Sequence, residues 1–248
     1  MNPLRERRLL VDRSPPEFVL HDVDDDACPY LPGRTARMPM RLPIRQLQLD
    51  EFDERLQRGD RRHGVILYAP TCPSCCACEP IRIPVHQFQP HKTHRRIQRR
   101  NGQLFHVELG EPTVTRERVD LYEKHLAGRN LRSPAHAVMT PARYRGFIAD
   151  SCCETFEIRM FHEHRLVLLA VTDRGARSLS AHYTFFDPDL AHLSMGTYAI
   201  LTQVRLAREW GLDYLYLGLF IQSCNKMVYK AGFRPHERRI AGSWRTFA

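Results

Sequence analysis

The order of strands and helices in the second half of the chain most limits how the chain can fold. Alternating or continuous apolar residues predict strands over residues 154–161, 165–172, 178–186 and 214–221, and helical spacing predicts a helix over residues 197–210. Gly211 follows this helix directly, at a position where glycine commonly ends helices. Three consecutive strands, one helix and a closing strand predict a mixed α/β sheet.

The first half of the chain predicts shorter elements on either side of a strongly basic segment. Strands are predicted over residues 41–49, 63–69, 81–88 and 103–109, and helices over residues 50–59 and from Pro90 to Asn101. Asp50 is predicted to cap the first helix, and Gly59 to end it. The Glu111-Pro112 step predicts a boundary between two domains, residues 1–110 and 111–248.

Length and hydropathy favour a globular protein without a membrane segment. None of the apolar runs among the 248 residues approaches the roughly 18–20 residues that a membrane helix needs, and residues 166–171 (LVLLAV) have the length of a strand. The first residues lack the uninterrupted apolar core of a signal peptide. We therefore expect a cytoplasmic protein with no membrane partner, whose cysteines are thiols or metal ligands.

Positive charge is concentrated in one segment of the chain. The net charge is +9, from 37 Lys and Arg against 28 Asp and Glu, and residues 91–100 read HKTHRRIQRR. The cations of this segment are Lys92, Arg95, Arg96, Arg99 and Arg100. Like charges this close repel one another unless a polyanion compensates them, so nucleic-acid phosphate is the predicted partner. The alternative is a solvated charged helix face.

A second unusual segment holds four of the eight cysteines within seven positions. Residues 71–80 read TCPSCCACEP, which contains Cys72, Cys75, Cys76 and Cys78, and Cys28 is the obvious distant partner. Zinc requires about four soft ligands that converge from two chain segments. Zinc or an iron–sulfur cluster is therefore the candidate cofactor, against a reduced structural loop or a redox-sensitive thiol cluster.

Two motifs near the end of the predicted sheet are candidates for catalysis. YTFFDPD contains Tyr183 and Asp187, although an Asp-Pro pair is also common in turns. LSMGTYAIL places Gly196 at a predicted helix start, where free backbone N–H groups can hold an anion or a polarised oxygen. The Arg/Gln-x-x-Gly-x-Gly loop of coenzyme-A enzymes is absent before this helix, which argues against a coenzyme-A acetyltransferase.

Several motifs in register resemble the arginyl/leucyl-tRNA–protein transferases, and among them the bacterial enzymes that transfer leucine. The matching blocks are CPYLPGRTARMPMRLP, YAPTCPSCCACEPIRIPVHQF, PHKTHRRIQRRN, LSAHYTFFDPD, LSMGTYAIL and YLYLGLFIQSCNKMVYKAGFRPHE. They cover the chain from about Cys28 to Glu237. One departure is YLGLFI, where the family commonly has YLGYWI, and the missing aromatic residues affect the predicted acceptor or donor pocket.

The resemblance implies a fold and a reaction. The implied fold is α/β (α+β), with an acetyltransferase-like (GNAT-type) C-terminal catalytic domain and a smaller Cys-containing α/β N-terminal domain. The implied reaction transfers leucine from Leu-tRNA to proteins that begin with Asp or Glu, which then enter the N-degron degradation pathway. The donor is aminoacyl-tRNA and not coenzyme A.

The resemblance also implies roles for individual residues. We expect Gly196 to stabilise an oxyanion and Asp187 to orient the acceptor amine, with Tyr183 as a further catalytic candidate. An acidic N-terminal side chain needs a cation, and the predicted acceptor-binding residues are Lys226, Lys230, Arg234 and Tyr229. The basic segment is expected to bind tRNA.

Three other interpretations remain open from the sequence. The donor could be Arg-tRNA, because no residue decides the amino acid from first principles. The cysteines and the basic segment could belong to a zinc-ribbon-like nucleic-acid-binding protein without catalysis, although this leaves the C-terminal half without a role. A coenzyme-A acetyltransferase is the third interpretation, and the missing loop counts against it.

Overall fold

The computed structural model of this chain describes residues 17–21, 25–132 and 138–248. The strands are β1 (Phe18–His21), β2 (Asp26–Ala27), β3 (Thr35–Ala36), β4 (Met40–Pro43), β5 (Arg61–His63), β6 (Ile66–Tyr68), β7 (Glu79–Pro84), β8 (His106–Gly110), β9 (Glu154–His162), β10 (Arg165–Arg174), β11 (Ser178–Phe186), β12 (Tyr214–Phe220), β13 (His236–Ile240) and β14 (Ser243–Phe247). The helices are α1 (Leu49–Arg58), α2 (Lys92–Leu104), α3 (Arg116–Gly128), α4 (Pro141–Tyr144) and α5 (Met195–Glu209).

A large mixed sheet forms the centre of the fold, in the order β14-β13-β7-β12-β11-β10-β9-β8. Strands β11 and β12 are parallel, and the other neighbours in this sheet are antiparallel. A four-stranded sheet has the order β1-β4-β6-β5, and β2 pairs with β3. The predicted α/β class and the order of three strands, helix and strand are therefore confirmed.

The large sheet does not follow the predicted division of the chain at residues 110 and 111. Strand β7 comes from the first half of the chain, yet it pairs with β12 through Ile83 and Leu215 and with β13 through Arg82 and Glu237. Strand β8 likewise pairs with β9. Segments from both halves therefore share one sheet.

Alternation along the central strands gives the sheet two apolar faces. In β10, Leu168 packs into the cluster that contains α5, whereas the next residue, Leu169, packs with α3. Successive side chains of a strand point to opposite faces, so one buried strand supports both clusters. A third cluster packs Phe52 and Leu56 of α1 against Leu67 of β6.

Local sequence signals set most element ends, with small shifts from the prediction. Helix α1 ends as predicted at Gly59, whose φ of 95° is easily adopted by glycine. Its N-cap is Gln48 and not Asp50, because the Gln48 backbone N–H donates to the Glu51 carboxylate at 2.7 Å. Helix α2 continues to Leu104, two residues into the predicted strand, and its last turn is closed by the backbone N–H of Phe105, which donates to the Asn101 backbone oxygen at 3.0 Å.

A buried ion pair joins the four-stranded sheet to the large sheet. The Nε atom of Arg62 in β5 donates to both carboxylate oxygens of Asp173 in β10 at 2.9 Å, and each side chain is 1% exposed. Arg62 also donates to the backbone oxygens of Gly64 at 2.9 Å and Asp150 at 3.1 Å. The Asp173 carboxylate accepts a further hydrogen bond from Thr155 at 2.8 Å.

Within the described ranges, none of the helices has the length and apolar character needed to cross a bilayer.

Candidate active site

The parallel strands β11 and β12 separate after a short stretch of pairing. They are paired from Ser178 and Tyr214 to Ser180 and Tyr216, and the described pairing ends there although both strands continue. In open α/β sheets, binding sites commonly lie where neighbouring strands part in this way. Helix α5 connects the two strands, so its N-terminus lies at the edge where they open.

Each of the two separating strands carries a bulge at the opening. Along β10, Val171 is opposite Tyr183 and the next residue is opposite Ala181, which leaves His182 of β11 without a partner residue. Along β7, the register with β12 shifts between Tyr216 and Leu219, next to Gly218, which has a φ of 78°. Bulges re-aim side chains and are frequent beside active sites.

The space between the bulges is a cleft that contains about 370 Å³ of unfilled volume, part of it open to solvent. We call it the split-strand cleft. Its walls include Arg61, Arg62, Ser180, His182, Tyr216 and Gly218. Both sheets contribute, because the two arginines come from β5 and the other residues come from β11 and β12.

His182 is a polar group in this cleft that has no assigned hydrogen-bond partner at one ring nitrogen. Its Nε2 atom is buried and has no partner within the described residues. Burial lowers the pKa of His182 to about 3, and the nearby charges of Arg62 and Arg61 act in the same direction. The imidazole is therefore neutral at physiological pH and offers Nε2 as a hydrogen-bonding atom to a bound molecule.

Lys230 is the predicted acceptor-binding residue that the fold brings next to the cleft. Its side chain is buried, and Nζ donates to the backbone oxygen of Leu219 in β12 at 2.7 Å. Burial lowers the pKa of Lys230 to about 7, with a further contribution from the charge of Arg61. A cation that is readily deprotonated therefore lies behind the β12 bulge.

The other three predicted acceptor-binding residues are at the surface. Lys226 is exposed, and the Tyr229 side chain is 53% exposed. Arg234 is also exposed and donates to the backbone oxygen of Ala248. None of the three is among the residues that line the split-strand cleft in the described structure.

The carboxylate of Asp187 is occupied by structural contacts. The residue is fully buried, and its oxygens are 2.7 Å from Lys124 Nζ and 2.5 Å from Arg165 Nη1. It also accepts from the backbone N–H of Asp189 at 3.1 Å, which caps the 3₁₀ helix Pro188–Leu193. Burial raises its pKa, but hydrogen bonds from Lys124 and Arg165 outweigh this and lower the pKa overall. These contacts correspond to the turn role that the sequence left as the alternative.

Tyr183 and Gly196 lie on different sides of the sheet opening. Tyr183 packs in the cluster with α3, where its ring centroid is 5.2 Å from that of Phe147, and its hydroxyl is hydrogen-bonded with Tyr122. It does not line the split-strand cleft. Gly196 is the second residue of α5 and is partly exposed at the edge where β11 and β12 open.

Helix α2 presents the predicted basic surface to solvent. Its buried residues His94, Ile97 and Asn101 have helical spacing and hold the opposite face against the protein. The five predicted cations Lys92, Arg95, Arg96, Arg99 and Arg100 are exposed or half-buried on the remaining surface. Among the described residues, no carboxylate lies within 4.0 Å of these five side chains. The charge of this surface is therefore uncompensated within the described chain.

Two contacts attach α2 to the edge where the cleft opens. The side-chain amide of Asn101 donates to the backbone oxygen of Leu193 at 2.9 Å, just before α5. At the other end of the helix, His94 stacks on Phe233, three residues after Lys230, with ring centroids 5.0 Å apart. The basic surface therefore borders both the N-terminus of α5 and the segment that carries Lys230.

Four of the five predicted metal-ligating cysteines lie near one another. Burial raises the pKa of Cys78 to about 12, and the nearby thiols of Cys72, Cys28 and Cys75 contribute to the increase. Cys76 is exposed. Within residues 17–21, 25–132 and 138–248, no three His, Cys, Asp or Glu side chains converge with the spacing of a metal site. The donor set suits a thiophilic metal, but the thiols do not meet at one point.

Arg61 and His182 are two candidate functional residues of the cleft that the sequence did not single out. Arg61 sits in DRRHG, where two adjacent arginines look like surface charge. His182 lies within LSAHYTFFDPD beside Tyr183, and regular alternation would have directed attention to Tyr183. The bulge at His182 depends on pairing with β10 and has no local sequence signal.

The sequence is similar to known proteins over most of its length. Family models described as "Arginine-tRNA-protein transferase, N terminus" and "Arginine-tRNA-protein transferase, C terminus" match residues 26–96 and 117–240. Aspartate/glutamate leucyltransferase of Halorhodospira halophila is 40% identical over 220 residues, which are 88% of this chain and 92% of that protein. The protein of the same name from Alkalilimnicola ehrlichii is 41% identical over 231 residues, which are 89% of this chain and 92% of the relative.

A third relative and one solved structure are also similar to this chain. Aspartate/glutamate leucyltransferase of Hahella chejuensis is 36% identical over 229 residues, covering 92% of this chain and 97% of the relative. A solved C-terminal DUF2156 domain from Agrobacterium fabrum, assigned to lysylphosphatidylglycerol synthetase, superposes with a TM-score of 0.49 at 14% identity. It covers 68% of this chain and 58% of that chain.

These matches define the class of protein as an aminoacyltransferase. More particularly, the chain belongs to the arginine-tRNA-protein transferase family, to which its sequence is similar over most of its length. The resemblance predicted from the motifs and the enzyme class that it implied are confirmed. A nucleic-acid-binding protein without catalysis does not fit this membership.

Proposed function

We propose that the protein transfers leucine from Leu-tRNA to the N-terminal Asp or Glu of proteins, and that the products enter the N-degron degradation pathway in the cytoplasm. The names of its relatives support the donor and the acceptors. The single observation that carries the proposal is the position of the basic helix α2 beside the opening of the split-strand cleft. One surface can hold a charged nucleic acid while the adjoining cleft receives a small chain end.

The donor ester is already activated, so positioning accounts for much of the catalysis. The acceptor amine attacks the ester carbonyl of leucine, the carbon–nitrogen bond forms, and the bond to the ribose oxygen breaks. The ribose oxygen leaves with a proton that the amine loses. We propose that the unpaired Nε2 of His182 accepts a hydrogen bond from the amine and directs its lone pair toward the ester. Backbone N–H groups near Gly196 are the proposed oxyanion stabilisers.

We also propose that the C-terminal part has an acetyltransferase-like (GNAT-type) architecture. The parallel pair β11 and β12, which separates beside two bulges and is connected by α5, supports this architecture. The proposed donor is aminoacyl-tRNA and not coenzyme A, because the basic surface of α2 suits a long polyanion.

We further propose that Cys28, Cys72, Cys75 and Cys78 bind zinc or an iron–sulfur cluster. The proximity of the four thiols supports this proposal, and binding would require them to move toward one point. The bound group would hold the loop between β6 and β7, and no step of the proposed reaction passes through it. Elemental analysis of the purified protein, with Cys75→Ser as the control, tests this proposal.

The basic helix provides a quantitative prediction for tRNA binding. Replacing Arg95 and Arg99 by glutamine should weaken Leu-tRNA binding about tenfold, because two phosphate contacts are lost. The slope of log K against log salt concentration should become shallower by about 1.5–2. Replacing Arg116 and Arg177, which are exposed and paired with carboxylates, changes the net charge equally and serves as the control. An unaltered slope in the α2 variant would place tRNA elsewhere.

The overall proposal is tested with the wild-type protein. We expect label from Leu-tRNA to appear on peptides that begin with Asp or Glu, with much less on a peptide that begins with Asn. Arg-tRNA in place of Leu-tRNA tests the alternative donor, and acetyl-CoA tests the acetyltransferase interpretation. Transfer from neither charged tRNA to an acidic peptide contradicts the proposed function.

A further inference from the structure

Arg61 is half-buried in the cleft wall and differs from the buried arginines in having no carboxylate partner. Within the described residues, no carboxylate lies within 4.0 Å of its guanidinium. Comparable arginines are paired, as in Arg62 with Asp173 at 2.9 Å, Arg82 with Glu237 at 2.6 Å and Arg118 with Glu157 at 2.9 Å. Removing a charge from water without a counter-charge is costly, so an unpaired guanidinium in a cleft indicates a missing anion.

Two tyrosines hold Arg61 in place without neutralising it. Arg61 is directly opposite Tyr68 in the pairing of β5 with β6, and its Nη1 donates to the Tyr68 hydroxyl at 2.8 Å. The same nitrogen is 3.4 Å from the hydroxyl of Tyr30. Each phenol oxygen accepts from Arg61, which leaves each phenol O–H free to donate. One cation and two hydroxyl donors are therefore available to a single anion.

The bulge in β12 brings Arg61 into the cleft. A Cβ atom on Gly218 would lie 3.0 Å from Arg61 Nε and 3.1 Å from Nη2, so any other residue at this position would require the guanidinium to shift. Gly218 also has a positive φ of 78°, which other residues rarely adopt. The guanidinium thus lies directly over the point where β12 separates from β11.

Lys230 is a second basic group near Arg61, and burial lowers its pKa to about 7. Lys230 is buried, and its Nζ atom donates to the backbone oxygen of Leu219 at 2.7 Å. Leu219 directly follows Gly218 in the β12 bulge. No carboxylate lies within 4.0 Å of its Nζ in the part of the chain that the structure describes. The carboxylate of Asp60 also lines the cleft but is paired with Arg41 and Arg55, so a ligand that carries negative charge would favour the charged form of Lys230.

We propose that Arg61, held by Tyr68 and Tyr30, binds the side-chain carboxylate of the acceptor's N-terminal Asp or Glu and so determines acceptor specificity. This inference rests on the proposed function. A guanidinium recognises a carboxylate through charge-assisted hydrogen bonds. The cleft has room for little more than a water molecule as it stands, so an acidic side chain would enter as β11 and β12 part further. Phosphate at the end of tRNA has related chemistry, but the exposed surface of α2 is the larger and more accessible site for phosphates.

The test is the preference of Arg61→Gln for an acidic over an amide side chain. For the wild type we measure kcat/KM and peptide affinity with peptides that differ only in beginning with Asp or Asn. In the variant, kcat/KM for the Asp peptide should fall about 100-fold, mainly through KM, because a charged hydrogen-bonded pair is lost. The value for the Asn peptide should change little, so the discrimination disappears.

Companion variants separate recognition from folding. Arg61→Lys keeps the charge but loses the planar guanidinium that the two tyrosines hold, so it should recover only part of the preference. Tyr68→Phe should reduce kcat/KM for the Asp peptide about tenfold through loss of one donor. Arg116→Gln, a surface variant with 93% side-chain exposure at the native arginine, is the matched control and should behave like the wild type.

Other results would indicate a different role for Arg61. Equal losses for the Asp and Asn peptides would show a structural role and overturn the inference. Weaker Leu-tRNA binding in Arg61→Gln would assign the anion to tRNA, and loss of bound metal would assign it to the cysteines. If the wild type transfers nothing, the proposed function fails, and the peptide affinities still decide the inference: no preference for Asp over Asn in the wild type contradicts it.

Discussion

Replacing Asp173 by asparagine is expected to lower the free energy of unfolding by about 3–5 kcal/mol. The substitution keeps the shape of the side chain but removes the charge that compensates Arg62. Both side chains are only 1% exposed, so the guanidinium cannot turn into solvent. Arg62 would retain its bonds to two backbone oxygens but would be an uncompensated buried cation. Urea denaturation at neutral pH measures the effect.

The control for this prediction is Asp213→Asn. Asp213 pairs with Arg177, whose side chain is 77% exposed, and exposed ion pairs contribute about 0–1 kcal/mol. A double variant, Arg62→Met with Asp173→Leu, removes both charges and should recover much of the lost stability. A loss below about 1 kcal/mol for Asp173→Asn would mean that the pair does not hold the two sheets together.

The second large effect is expected for Lys230→Met, as a change in how stability depends on pH. Burial lowers the pKa of Lys230 to about 7, the Arg61 charge adds to this, and Cys224 acts in the opposite direction. Between pH 7 and about 10.4, the unfolded wild type binds more protons than the folded wild type, so wild-type stability rises with pH. Methionine does not titrate. The free energy of unfolding of the variant relative to the wild type should therefore decrease by about 4 kcal/mol from pH 7 to pH 10.4.

The direction of this effect means that the buried charge of Lys230 lowers the free energy of unfolding of the wild type at pH 7 and below. The free energy of unfolding of the variant relative to the wild type should be most favourable at pH 7 and below, although the variant loses the hydrogen bond to the Leu219 oxygen. Its acceptance of Asp or Glu peptides should weaken while Leu-tRNA affinity stays nearly unchanged. Denaturant unfolding at several pH values measures the stability difference. The control is Lys226→Met, at an exposed lysine, which should change stability by less than about 0.5 kcal/mol at each pH. If the curve of stability against pH for Lys230→Met runs parallel to the wild-type curve, the prediction is contradicted.

The sequence predicted the elements of the fold better than their arrangement. Helix α5 and strands β9 to β12 were predictable because apolar spacing and a terminal glycine are local signals. The insertion of β7 between β12 and β13 was not, because pairing between distant segments leaves no mark in either one alone. The predicted domain boundary after residue 110 has the same limitation, because it was inferred from local sequence and took no account of the pairing of β7 and β8 with strands of the second half.

The residues of the candidate site were likewise predictable only in part. The basic face of α2 was predictable from charge density, since a cluster of cations needs no tertiary information to be noticed. Arg61 and Arg62 have the same residue type and both line the cleft, yet Arg61 is bonded to Tyr68 whereas Arg62 is paired with Asp173. Their different roles depend on which strands cover each face. Lys230 was identified by its motif, and the structure supplies its burial.

The position of β7 also affects how the chain is made. On the ribosome, residues 79–84 emerge long before residues 214–220 and 236–240, which supply their neighbours on both sides. Both backbone edges of the nascent strand therefore stay unpaired until those residues have been synthesised, and only then can this part of the sheet form. A chain that terminates early would keep those edges bare, so truncated products should be prone to aggregate and to require chaperones.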